Sequence, residues 1–398
     1  MIFQLLIAVL IGILCGILTG LTPGIHINLV SVLIVSLSTI FLNYTSALFL
    51  ATIIISMGVT HTFLDSIPSI FLGAPDSDTV MAVLPGHKLL FQGLGWDAVR
   101  LTVIGSLLCL LLCIAIIPIL VLVFPILYSL MKNYLGYLLL VMVAFIILKD
   151  SKKIWAMIIF VLSGILGLIV LNSEISQPLF PMLSGMFGIS ALLISLFNKV
   201  EVPTQIDEEY VEISRGEYIK SLIGGVFSGS FVALFPGIGA AQAAAMSTVL
   251  FKVKEYGYLI LVGGINTVNF IIALVTVYTL DKARNGAIVA VMDILTSIDL
   301  ARLVVFAAIA LIVGGIATIL TLKIAKIFAF MIEEIEYQIV SLAILFFIIA
   351  LALYFSGFIG LLVLLISTAL GIIPQITGAC RSNAMGCLLL PVILFYLL

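Results

Sequence analysis

Charge is what this chain lacks. Of 398 residues, 17 are Lys or Arg, 19 are Asp or Glu and 3 are His, so charged side chains make up 9% and the formal net charge is −2. A soluble domain is nearer one quarter charged, so a soluble fold is excluded, and without a basic excess no nucleic-acid partner is expected. The five cysteines, Cys15, Cys109, Cys113, Cys380 and Cys387, are odd in number and form no close-set pairs, which rules out a disulfide framework. Cys109 and Cys113 lie four apart with no His or acid nearby, and they read as small apolar packing residues. Phosphate-binding loops, zinc-ligand spacings and nucleophile elbows are also missing, which argues against an ATP-driven pump and against an enzyme. An intramembrane active site built from His61, Asp65 and Asp76 would lack any second catalytic pattern.

What the chain has is length in apolar runs. Hydrophobic residues make up 64% and the mean hydropathy is +1.40. Runs of about 18 or more apolar residues recur throughout, each enough to cross roughly 30 Å of hydrocarbon as a helix. The expectation is an all-α polytopic protein, multi-pass in the cell membrane, with the lipid bilayer as its first partner. The opening "MIFQLLIAVLIGILCG" has no basic n-region and no small-residue cleavage site, and reads as a retained first span.

One long polar stretch, "NKVEVPTQIDEEYVEISRGEYIK", divides the chain near its middle. It predicts a first transmembrane repeat over 1–197, a polar cytoplasmic linker over 198–217 and a second repeat over 218–398. Similarities run across the linker in a common order. "GILTGLTPGIHINLVSVLI" pairs with "GSFVALFPGIGAAQAAAMSTVL", "SMGVTHTFLDSIP" with "LVGGINTVNFIIA", and "LFPMLSGMFGI" with "IIPQITGACRS".

Lys and Arg favour the cytoplasmic side of short loops. Uncharged "LNYTS" in the first half corresponds to "FKVKEYG" in the second, and "LKDSKK" corresponds to uncharged "YFSGF", so equivalent loops are expected on opposite faces. The architecture that follows is two inverted repeats, each a Pro-Gly-broken helical hairpin followed by about five transmembrane helices. With the N-terminus outside, Lys88, Arg100, Lys149, Lys152, Lys153, Lys199, Arg215, Lys220, Lys252, Lys254, Lys323 and Lys326 fall in the cytoplasm, twelve of the 17 basic residues. Lys132, Lys282, Arg284, Arg302 and Arg381 fall outside.

A helix broken at Pro-Gly leaves backbone N–H and carbonyl groups without partners, which hydrocarbon does not tolerate, so a break implies a protein-lined or watery cavity. The N-terminal end of the second helix favours an anion. The bland alternative is a proline kink, but two breaks at equivalent positions, each followed by polar or small residues, favour a binding site. The candidate substrate-binding residues are Pro23, Gly24, His26 and Asn28, with Pro236, Gly237, Gly239 and Gln242. Asn266 and Thr267, equivalent to the Thr60–His61–Thr62 patch, join them; the alternative for such polar residues is helix–helix glue.

His61 and Asp65, four apart, share a helix face and are candidates for binding a proton or cation, together with Asp76, Asp78 and Asn269. His61 has the alternative of a simple hydrogen bond to a neighbour. Asp76 and Asp78, after Ala74-Pro75, have the alternative of capping a helix start. His87, Lys88 and Arg100 are interface anchors or cations near a bound anion, and Arg381 is an outer-interface anchor or an anion contact.

The run "GAPDSDTVMAVLPGHKLLFQGLGWDAVRLTVIGS" resembles the most characteristic segment of the large membrane subunit of tripartite tricarboxylate transporters, the TctA family, with Gly73, Pro75, Gly86, Lys88 and Gly93 in step. "LTPGIHINL" and "LFPGIGAAQAA" resemble that family's paired Pro-Gly motifs. The resemblance implies a secondary active transporter of a small organic anion, a di- or tricarboxylate, coupled to a sodium or proton gradient and needing no cofactor beyond that ion. It also implies a small membrane subunit and an extracytoplasmic binding protein as partners; a homodimer is a further arrangement to consider. The chain departs from the pattern at His26 and Asn28, and at Asp76 and Asp78, whose carboxylates would repel a tricarboxylate unless covered by cations or protons. The runner-up reading is a translocase of a lipid-linked carrier such as polyprenyl phosphate.

Overall fold

The computed structural model describes residues 2–22, 27–73, 79–197, 203–206, 211–235, 239–283, 285–334 and 337–398. Every regular element among them is helical. The first half holds α1 (Ile2–Leu21), α2 (Ile27–Ser36), α3 (Ser38–Phe41), α4 (Ala47–Leu64), α5 (Val83–Leu90), α6 (Gly95–Met131), α7 (Leu135–Lys149), α8 (Lys153–Leu171), α9 (Leu179–Leu183) and α10 (Ser190–Phe197). The second holds α11 (Arg215–Leu234), α12 (Ala240–Phe251), α13 (Glu255–Leu280), α14 (Gly286–Leu295), α15 (Leu300–Glu334), α16 (Tyr337–Thr377) and α17 (Gly386–Leu397). Among the described residues, seven helices are long and apolar enough to cross a membrane. The chain is therefore an all-α polytopic membrane protein.

The hairpins are built on small residues. Gly12, Gly16 and Gly20 recur every fourth position on one face of α1, and a Cβ on each would lie 2.5, 2.5 and 2.8 Å from Ser56, Thr60 and Leu64 of α4. Both series ascend together, so α1 and α4 run parallel with their backbones close, as small-residue seams allow. The chain between them must therefore return to the end where α1 began. In the second half a Cβ at Gly257 would approach Ser221 at 2.5 Å and one at Gly229 would approach Val268 at 2.8 Å, so α11 and α13 are also parallel.

The return stroke is visible there. Ser247 Oγ donates to Ser228 Oγ at 2.6 Å, and a Cβ at Gly224 would stand 3.1 Å from Phe251, so α12 runs back along α11. Glu217, in the first turn of α11, accepts from Lys254 N just before α13. The helical hairpin thus opens and closes at one end of the bundle.

α4 and α13 form the buried centre, and each packs on the long helix of the other half, α13 on α6 and α4 on α15. Gly105 and Gly263 make the first of these crossings possible, since Cβ atoms there would lie 1.9 Å from Ile260 O and 2.2 Å from Thr102 O.

α16 is two arms rather than one rod. Gly357 inside it has φ 64 and ψ −163, a left-handed conformation that glycine adopts without a Cβ penalty. Ile344 and Leu364, one on each arm, pack in a common cluster with Ile189 and Leu192, while Ser356 sits near the fold, donating to Gln177 O at 3.5 Å. The arms therefore double back on each other.

This reversal corrects the sorting of Arg381. Asp150 Oδ2 accepts from Cys380 N at 2.9 Å and from Asn383 Nδ2 at 2.7 Å, which ties the turn bearing Lys149, Lys152 and Lys153 to the segment bearing Arg381. Arg381 lies at the end of the bundle assigned to those lysines, because the chain has already turned once more at Gly357. Other contacts respect the sorting: Lys88 pairs with Glu255 at 2.6 Å at one end, and Lys282 donates to Tyr128 OH at 2.9 Å at the other.

Candidate functional site

The last turn of α4 and the segment that follows it carry an unusual load of polar residues for a buried place: Thr60, His61, Thr62, Asp65, Ser66 and Ser69 are all buried. Three of the hydroxyls are satisfied locally, Thr62 donating to Val59 O at 2.9 Å, Ser66 to Phe63 O at 3.0 Å and Ser69 to Asp65 O at 2.8 Å, while Thr60 Oγ1 has no hydrogen-bond partner. This back-bonding to the preceding turn is how Ser and Thr sit inside helices. Pro68 then opens a π-helical turn, Pro68–Leu72, which ends at Gly73 with φ 62.

Asp65 and Thr62 meet residues from the other half of the chain. Asn266 Nδ2 donates to Asp65 Oδ2 at 2.7 Å, and Thr267 Oγ1 lies 3.2 Å from Thr62 Oγ1. His61 Nε2 is 3.9 Å from Asp65 Oδ2, and His61 Nδ1 is 3.1 Å from Thr19 Oγ1 on α1. The cluster joins α1, α4 and α13 at the seam between the halves. Sequence reasoning named His61, Asp65, Asn266 and Thr267 as candidates; it missed Thr19, whose place one helical turn after Cys15 in an apolar run gives no local signal. Asn269, one turn beyond Asn266, is half-buried and takes no part in these bonds.

The candidates that follow the breaks bind backbone. Asn28 Oδ1 accepts from Ala287 N at 3.0 Å, so the side chain caps α14, and a Cβ on Gly286 would stand 2.8 Å from its Cγ. Gln242 Oε1 accepts from Gly239 N at 2.9 Å at the start of α12. Pro23, Gly24, His26, Asp76, Asp78, Pro236 and Gly237 lie outside the described residues. Lys88 is taken by Glu255, and Arg100 Nε pairs with Asp97 Oδ1 at 2.6 Å.

Arg381 is no interface anchor. It is only 9% exposed, donates from Nη2 to Phe187 O at 2.8 Å and to Ser190 Oγ at 3.1 Å, and stands over the Phe187 ring at 5.9 Å. A cavity of about 290 Å³ lies between α6, α7, α11 and α12, lined by Met131, Met142, Phe231 and Met246 among others. Its wall is hydrocarbon, which offers a carboxylate nothing.

With this geometry in hand, the comparisons with known proteins become specific. The model of the tripartite tricarboxylate transporter TctA family matches residues 6–386, nearly the full length. The chain belongs to the TctA family. It is a membrane transport protein, a member of a transporter family rather than an enzyme family, and the family takes its name from transporters of three components. It is also similar to an uncharacterized protein, MJ1079, of Methanocaldococcus jannaschii, 29% identical over 386 residues and covering 94% of each chain. No solved structure matches it. Within a TctA protein the Asp65 cluster acquires a context: a buried carboxylate, an imidazole and an amide at the meeting of two bundles are groups able to hold a proton or a small cation.

Proposed function

We propose that this TctA protein is a secondary active transporter of a small organic anion, a di- or tricarboxylate, in the cell membrane, and that a sodium ion or proton held at Asp65 drives it. The observation that carries this reading is the 2.7 Å contact between Asn266 Nδ2 and Asp65 Oδ2 across the two halves. A carboxylate inside a membrane protein is costly while charged, and a proton or sodium ion relieves that cost. Loading or emptying Asp65 therefore changes how well the halves fit, which is what coupling requires. The two halves act as inverted repeats that rock about this seam. A small membrane subunit and an extracytoplasmic binding protein complete the transporter. Movement of a lipid-linked carrier draws no support from the family.

Uptake of labelled citrate and succinate into proteoliposomes, with sodium and proton gradients imposed separately, tests this. One gradient is expected to drive uptake, and Asp65→Asn is expected to abolish gradient-driven uptake while leaving exchange of internal for external substrate. Full gradient-driven uptake by Asp65→Asn would sink the coupling role.

A further inference from the structure

Arg381 is a buried cation whose nearest partners are neutral. Its contacts are a carbonyl, a hydroxyl and an aromatic face, and its Nε has no hydrogen-bond partner. Among the described residues no carboxylate pairs with it. Asp150, which binds the neighbouring Cys380 and Asn383, is already engaged: Oδ1 accepts from Lys152 N at 2.8 Å, and Oδ2 accepts from Cys380 N and from the Asn383 amide. A guanidinium removed from water with no counter-charge is among the most expensive groups a protein can bury. A structural arginine with this burial would be expected to carry an acid beside it.

A second unmatched group lies next to it. His87 is 5% exposed and its Nε2 has no hydrogen-bond partner, and Gly73, which touches it, also faces Leu192, two residues from the Ser190 that accepts from Arg381. Gly73 is pressed against the imidazole, since a Cβ there would fall 2.7 Å from Cε1 and 3.0 Å from Nε2. Three irregular segments come together here: the π-turn ending at Gly73, the π-helical Ser184–Ile189 that supplies Phe187 O, and the 3-10 turn Arg381–Met385. α12, the helix after the second Pro-Gly break, packs on Arg381–Met385 and on Val80–Ala82, the turn leading into the His87 helix. Helix breaks inside a membrane protein are sustained where the backbone lines a cavity or a ligand.

We propose that Arg381 and His87 form the subsite for a carboxylate of the transported anion, with Arg381 Nε–H and His87 Nε2–H donating to its oxygens. This rests on the organic-anion reading above and adds where the anion is held. The guanidinium supplies the counter-charge and the directional donor and the imidazole a second donor, and among the described residues no acid competes with an anion from outside the chain.

The test is equilibrium binding of radiolabelled citrate and succinate to the purified full-length protein in nanodiscs, comparing wild type with Arg381→Gln, Arg381→Lys and His87→Gln, each checked for monodispersity. Wild type is expected to bind at least one acid saturably. Arg381→Gln is expected to weaken binding about thirtyfold or more, Arg381→Lys by less because the charge survives but the planar fork does not, and His87→Gln about threefold. Undiminished affinity in Arg381→Gln overturns the subsite and leaves the transport reading intact. If that variant does not fold, Arg381→Lys decides, undiminished affinity again overturning the subsite. Undiminished affinity in His87→Gln overturns the two-residue site. A wild type that binds neither acid overturns the transport reading and the subsite with it.

Discussion

Thr62 Oγ1 and Thr267 Oγ1 stand 3.2 Å apart, one on α4 and the other on α13. When "SMGVTHTFLDSIP" is set against "LVGGINTVNFIIA", these two threonines are the same position of the two halves. Equivalent residues touch one another only near a two-fold axis, as at an isologous interface. An approximate axis through this contact fits the other exchanges between halves, α13 on α6 and α4 on α15, and α2 on α14 beside α12 on Val80–Ala82. Asp65 follows Thr62 by three residues, and its cluster has no counterpart in the second half, because the position matching Asp65 is Phe270.

The threonine pair should therefore behave as one unit in a double-mutant cycle. Thr62→Val strands the Thr267 hydroxyl in a buried place, at about 1 kcal/mol, whereas Thr267→Val leaves Thr62 its bond to Val59 O and costs less. The double variant is expected to cost no more than the worse single one, since both polar groups are then gone. Unfolding in mixed micelles measures this; strictly additive losses would mean the pair does not interact.

The seam of α1 offers a sharper contrast. A Cβ at Gly16 would lie 2.5 Å from Thr60 Cβ and 2.7 Å from Met57 O, whereas Gly315, on an exposed face of α15, has nothing within 4 Å. Gly16→Leu is expected to separate α1 from α4 and leave little folded protein. Gly315→Ala should be neutral or stabilising by up to about 1 kcal/mol, because alanine is the better helix former. Fluorescence-detected size exclusion separates these outcomes, and a well-folded Gly16→Leu would refute the close seam.

How far the sequence reveals such features depends on how local they are. The helices follow from the lengths of their apolar runs, and the His61–Asp65 relation follows from a spacing of four. Asn266 and Asp65 are 201 residues apart, and composition alone does not make them partners; only their likeness to corresponding stretches hints at it. Lys and Arg mark membrane faces when they are exposed, as Lys88 is beside Glu255. Arg381 misleads because it is buried, and the rule describes surfaces. The reversal at Gly357 is legible, since "YFSGF" corresponds to the loop "LKDSKK" of the first half, although it is nearly as apolar as the arms it joins.

The α11–α12 hairpin can be tested by crosslinking. The hydroxyls of Ser228 and Ser247 are 2.6 Å apart, so cysteines there can close a disulfide with little movement. In a background lacking the five native cysteines, Ser228→Cys with Ser247→Cys is expected to form an intramolecular bond on mild oxidation, read as loss of maleimide labelling. Cysteines that stay free would contradict the antiparallel pairing of these helices.

Asp150 gives the fold a defined acid sensitivity. It lies in the turn between α7 and α8, outside the spans. Burial alone would raise its pKa, but hydrogen bonds from Lys152 N, Cys380 N and the Asn383 side chain outweigh burial and hold the carboxyl below its ordinary range. A carboxylate that binds its proton less readily folded than unfolded adds stability above the unfolded value of about 3.9, and that stability fades as the pH falls through it toward the depressed folded value. Wild type in detergent should thus lose melting temperature on acidification from pH 5 to pH 3. Asp150→Ala should already be about 2 kcal/mol weaker at pH 7, with the backbone N–H of Cys380 left without its acceptor. The two proteins should converge at low pH, where protonation has removed most of the charge-assisted bonding in wild type as well. Melting curves of both across that range measure the difference directly. A constant gap between them would show that the charge of Asp150 does not hold the α7–α8 turn to the segment bearing Arg381, and that packing alone joins them.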